Sequence, residues 1–167
     1  MPASPFTCVG FPPSIDANCT HIILGSMPGA ASLKAQQYYA YPQNRFWRML
    51  AAVYGAEVPG SIEEKRALLL SNGLALWDVL ERCEIRGSSD ASIRGAVPVK
   101  IETVTGAAKI RRVLVNGTTA AKYYARYLEP KTGIAAVCLP STSPANAAYR
   151  LERLTALWGA ALLGEEG

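Results

Sequence analysis

The chain has 167 residues, of which half are hydrophobic and 18% charged, and it carries a net charge of +4. That composition fits one globular domain with a sizeable core and excludes a disordered chain. A single histidine, His21, and four scattered cysteines (Cys8, Cys19, Cys83 and Cys138) exclude a multi-histidine zinc site and any CxxC redox pair.

Residues 1–18 are rich in Pro, Ser and Ala and read as an irregular lead-in without the charged start of a secretory signal. HIILG (21–25) predicts a buried strand, and GSMPGAAS predicts a loop after it. Phe46, Trp47, Leu50 and Val53 recur at helical spacing, predicting a helix from Asn44 or Arg45 to Tyr54 with Gly55 closing it. Ser61 caps a second helix with Glu63 and Glu64 in its first turn, and Gly73 ends it. LALWDV (74–79) predicts a second strand, residues 81–98 a long loop, and residues 100–108 a short helix. RVLVN (112–116) is a third strand, followed by Gly117-Thr118-Thr119 and a helix ending near Leu128. IAAVCL (134–139) is a fourth strand, then PSTSPAN, then a helix over residues 145–163.

Strands alternate with helices and are apolar throughout, which predicts a parallel sheet covered on both faces. The ligand crevice of such a sheet lies at the carboxyl ends of its strands. That gathers the loops after GSMPG, WDV, VNG and LPSTSPAN. These loops hold amides, hydroxyls and carboxylates but no thiol–histidine pair, metal cluster or P-loop. No apolar run approaches the roughly 18 residues of a membrane span, so the expected compartment is the cytoplasm. The mild positive charge permits a phosphate-bearing partner without requiring one.

YYAYPQNRFWR (38–48) combines five aromatic rings, two amides and two arginines. An amide such as Asn44 can hold a water or stabilise a developing charge. That suits cleavage of a bond to a good leaving group, such as an N-glycosidic bond. Asn44 equally suits the N-cap of the FWRML helix. Tyr38 and Tyr39 suit stacking on a base or core packing, and Arg45 and Arg48 suit phosphates or a solvated helix face.

The order GSMPG, YAYPQNRFWR, ALWDVL, VNGTTAAKYY, LPSTSPAN resembles the uracil-DNA glycosylase superfamily, nearest its hypoxanthine-DNA (deoxyinosine) glycosylase branch, from about residue 22 to residue 158. The resemblance implies a three-layer α/β/α sandwich on a four-stranded parallel sheet. It implies hydrolysis of the glycosidic bond of a flipped deaminated base, mainly deoxyinosine, in double- or single-stranded DNA, without metal or cofactor. A monomer, associated with the nucleoid when acting, is expected.

By that resemblance Asn44 is the catalytic residue. Gly25, Ser26, Met27, Tyr39 and Asp78 form the base pocket, with Tyr39 stacking on the base and Asp78 suiting an N–H donor. Arg45, Arg48, Ser141, Thr142, Ser143, Pro144, Ala145 and Asn146 meet DNA. The chain departs from relatives at Met27 (a water-holding asparagine in mismatch-specific members), Tyr41 (histidine), Ser141 (histidine) and Ala145 (a leucine wedge). Ser88, Ser89 and Asp90 fall in a branch-characteristic loop to which no role is assigned. The matched motifs offer no lysine for a Schiff base, implying hydrolysis without strand cleavage. The readings left beside this one are a uracil or mismatch glycosylase and a catalytically silent nucleic-acid-binding module.

Overall fold

The structure, a computed structural model, describes residues 6–85 and 93–164. In chain order the elements are β1 (Phe6–Val9), β2 (His21–Gly25), α1 (Ala30–Ala35), α2 (Phe46–Tyr54), α3 (Ile62–Leu70), β3 (Leu74–Asp78), β4 (Leu80–Ile85), β5 (Arg94–Pro98) and α4 (Glu102–Thr105). There follow β6 (Arg112–Asn116), α5 (Thr118–Tyr123), a π-helical turn (Tyr124–Leu128), α6 (Glu129–Thr132), β7 (Ala136–Leu139) and α7 (Leu151–Leu163).

β3, β2, β6 and β7 form, in that spatial order, a four-stranded parallel sheet. Alternate side chains of one strand face opposite layers. Ile23, Leu76 and Leu114 therefore pack with Phe46, Trp47 and Leu50 of α2 and Leu154 and Trp158 of α7. Ile22, Leu24, Trp77 and Val113 face the other way, toward Ala120, Tyr124 and Leu128. Trp158, Tyr124 and Phe46 are the largest fully buried side chains, and each such burial contributes about 1.5–3 kcal/mol. This is the expected α/β/α layering. Among the described residues no helix is long and apolar enough to cross a membrane.

Several boundaries differ from the sequence reading. Residues 81–98 are not a plain loop. β4 and β5 within them join β1 in an antiparallel sheet of order β1-β4-β5. From Phe6 onward the lead-in is built into the fold: β1 pairs with β4, and Ser14 bridges Leu76. The short helix is confined to α4. The helix after Gly117 continues through the π turn into α6, which Gly133 closes. The fourth strand begins at Ala136, and at this sheet edge Val137 and Cys138 are exposed. The last helix begins at Leu151, because residues 141–149 fold into turns. Ser61 caps α3 as expected, its Oγ accepting from the Glu64 backbone N–H at 3.1 Å. Ser88, Ser89 and Asp90 lie outside the described residues.

Candidate active site

Parallel strands deliver their carboxyl ends to one edge of the sheet. Gly25 ends β2, Asp78 ends β3, Asn116 ends β6, and Ser141 follows shortly after β7. Together with the segment before α2 they border an open cleft of about 760 Å3. Of the expected site residues, Gly25, Ser26, Met27, Tyr39, Asn44, Asp78, Ser141, Thr142, Ser143, Pro144 and Ala145 line it. Arg45, Arg48 and Asn146 do not. Tyr38, Tyr41 and Asn116 line it as well.

The floor is tight. Gly25 pairs with Asp78 in the β2–β3 register. A Cβ on Gly25 would stand 2.5 Å from Asp78 Oδ1 and 2.9 Å from Tyr39 Oη, so a larger residue here must displace one or both of those side chains. Asp78 is only 4% exposed. The Tyr39 ring stacks on Phe46, centroids 4.2 Å apart and planes at 21°, so one of its faces is spent on the core rather than on a ligand. Its backbone is left-handed, at φ 52°, a conformation costly for a bulky residue and frequent at functional sites. The Tyr39 hydroxyl is buried without a hydrogen bond of normal geometry. Burial, and after it the charge of Asp78, pushes the phenol well above its ordinary pKa, with the Asn116 amide acting the other way. The group therefore keeps its proton at neutral pH.

Asn44 stands one residue before Arg45, the N-cap position of α2. It lines the cleft, and its Oδ1 accepts from the Phe46 N–H at 3.0 Å, an Asx turn that leads into α2. The same oxygen accepts from the Thr142 hydroxyl at 2.8 Å. Thr142 is fully buried, and its hydroxyl is spent on partners within the protein. Asn116 Nδ2 donates to that hydroxyl at 3.1 Å, and Asn116 Oδ1 accepts from the Thr142 N–H at 3.1 Å. Sequence reasoning saw Asn116 only as one loop amide among several. A polar residue closing an apolar strand at the crevice edge was the available signal.

Arg45, expected at phosphates, is instead turned into the protein. Nη2 donates to the carbonyls of Ser143 (2.7 Å) and Asn146 (3.3 Å), Nε to that of Thr142 (3.3 Å), and Nη1 to that of Tyr149. Asn146 Nδ2 is likewise spent within the loop, on the Ser141 carbonyl at 3.1 Å. Pro144 and Ala145 form the exposed tip of this loop, and Arg48 is exposed on α2. Behind the cleft, the Trp47 indole N–H donates to the Tyr38 carbonyl at 2.9 Å and that of Trp158 to the Pro140 carbonyl at 3.0 Å.

The sequence profile of the uracil DNA glycosylase superfamily matches residues 12–161. The chain is 34% identical over 149 residues to a hypoxanthine DNA glycosylase of Methanosarcina acetivorans, covering 86% of this chain and 91% of that one. It is 34% identical over 116 residues to a hypoxanthine DNA glycosylase of Methanosarcina barkeri, covering 68% and 73%. A solution NMR structure from M. acetivorans, solved as a candidate uracil DNA glycosylase, matches with a TM-score of 0.81 at 31% identity, covering 94% of this chain and 97% of the other. These matches, together with the fold, define the class, a DNA glycosylase on a four-stranded parallel sheet. The chain belongs to the uracil DNA glycosylase superfamily.

Proposed function

We propose that this chain is a monofunctional DNA glycosylase that takes a flipped deaminated base into the cleft and hydrolyses its N-glycosidic bond, with hypoxanthine in deoxyinosine the preferred base. The observation that carries this reading is the Asn44 amide bordering a cleft whose floor is Gly25, Tyr39 and the buried carboxylate of Asp78. A carboxylate at the base edge suits a ring N–H donor, as hypoxanthine has at N1, better than a carbonyl oxygen. The two Methanosarcina relatives carry the hypoxanthine specificity in their names, which supports the same choice. The exposed loop tip at Pro144 and Ala145 meets the minor groove, and the small Ala145 wedge suits bases that already pair loosely. Arg48 faces phosphate.

Met27 and Ser141, apolar and neutral at two cleft positions, favour a second reading, a silent nucleic-acid-binding module. Base release from duplexes carrying one deoxyinosine, uracil, xanthine or G·T mismatch separates the two. Hypoxanthine release by the parent, lost in Asn44→Ala, is expected. Release of uracil alone would move the specificity to the superfamily's wider theme, and no release from any duplex would leave the binding module.

A further inference from the structure

An amide's oxygen and nitrogen are told apart by their hydrogen-bond partners, and at Asn44 those partners leave one assignment. Phe46 N–H is a backbone donor, so the atom 3.0 Å from it must be the oxygen. Asn116 is fixed by the same logic, because its Oδ1 takes the Thr142 N–H. Its Nδ2 therefore donates to Thr142 Oγ1, whose one proton then points to Asn44 Oδ1. A carbonyl oxygen has two lone pairs, and both of those on Asn44 are taken by protein donors. Asn44 Nδ2 has no acceptor among the described residues, and Asn44 lines the cleft.

We infer that Asn44 meets the flipped nucleotide as a hydrogen-bond donor to the departing base rather than as an acceptor that draws a proton from the attacking water, and that Thr142, held by Asn116, is the positioning residue that sets this hand. The inference rests on the glycosylase reading above. In hydrolysis the C1′–N9 bond breaks and its electron pair passes to the purine. The water oxygen bonds to C1′, and the water's proton passes to solvent, from which the departed base is protonated. Negative charge grows on the base as the bond stretches, and a fixed N–H donor aimed at it is stronger in the transition state than in the ground state. Of the two uses the sequence leaves open for Asn44, holding a water or stabilising a developing charge, this assigns the second.

Asn44→Asp distinguishes the two roles by sign. The carboxylate keeps an acceptor for Phe46 N–H and the Thr142 hydroxyl but replaces the NH2 with a charged oxygen. Single-turnover release of hypoxanthine should fall about 100-fold or more at neutral pH. It should partly recover as acid protonates the new carboxyl and restores a donor. An Asn44→Asp variant as active as the parent at neutral pH, and losing activity in acid, would overturn the donor role.

Thr142→Val should slow release about tenfold at unchanged affinity for substrate DNA, and Thr142→Ser should restore it. Equal rates for Val and parent would remove the positioning role, as would Ser behaving like Val. Should the parent release no base, the activity reading fails, and the amide is still tested by NMR. Its NH2 protons should exchange rapidly with water and shift when free hypoxanthine is added. Slow exchange with no shift would sink the inference.

Discussion

Arg45 Nη2 donates to the Ser143 carbonyl at 2.7 Å, joining positions 98 apart in the chain. With its bonds to Thr142, Asn146 and Tyr149 it ties the last loop to the start of α2, one residue from Asn44. Arginine suits this because its rigid fork addresses several acceptors at once. Arg45→Met should lower stability by about 2 kcal/mol, read as an earlier urea midpoint. Arg45→Lys should recover only part of it. An unchanged midpoint for Arg45→Met would show the tie to be dispensable.

The close approach at Gly25 makes a second substitution informative. Gly25→Ala must push aside Asp78, Tyr39 or both, since its Cβ would lie 2.5 and 2.9 Å from their oxygens. Overpacking of this kind costs about 1–3 kcal/mol. Base release should suffer more than folding does. A variant with full activity would mean that Asp78 and Tyr39 need not hold their present places.

Ala145 stands at the exposed loop tip. A leucine there adds surface that only an opened base stack can bury, so Ala145→Leu should hold abasic product duplex several-fold longer while stability shifts by less than about 0.5 kcal/mol. Equal retention by the two proteins, measured as dissociation rate from abasic DNA, would remove the tip from the wedge role.

Alkaline titration should report the buried phenols. Burial raises the pKa of Tyr38, Tyr39 and Tyr124 above the ordinary value of 10.0. The folded protein then keeps these protons while the unfolded chain loses them, so their contribution to stability is full below pH 10 and declines as pH rises past it. Phenolate absorbance from these three should appear together with loss of near-ultraviolet circular dichroism. Their early, independent ionisation in a still-folded protein would contradict the burial.

The parallel sheet was legible because HIILG, LALWD and RVLVN are apolar on both faces, as strands sandwiched between helices must be. The small antiparallel sheet was not. In β4 the exposed Glu81, Arg82 and Glu84 alternate irregularly with buried Leu80, Cys83 and Ile85, because register shifts against β5 break the two-residue period. Its other partner, β1, lies more than 70 positions earlier in a proline-rich stretch. The sequence reading starts the last helix at Ala145, whereas the loop over residues 141–149 delays α7 to Leu151. Arg45 holds the loop's carbonyls in turns instead, a tertiary effect that local propensity does not carry. At the site, strand-end positions such as Gly25 and Asp78 could be assigned in sequence. The inward turn of Arg45 and the link from Asn116 through Thr142 to Asn44 join segments far apart, and no local pattern encodes them.

The indole bonds behind the cleft give the molecule an optical gauge of its own. Trp47 and Trp158 donate to carbonyls of Tyr38 and Pro140, the first a cleft residue and the second adjacent to one. Trp77 directly precedes Asp78, so Trp47 and Trp77 stand one hydrogen bond or one residue from the cleft and Trp158 one of each. Filling the cleft should therefore alter the emission of the unlabelled protein. Titration with abasic duplex, read by tryptophan fluorescence, would follow occupancy directly. Emission that stays constant while another method detects binding would place that binding away from this cleft.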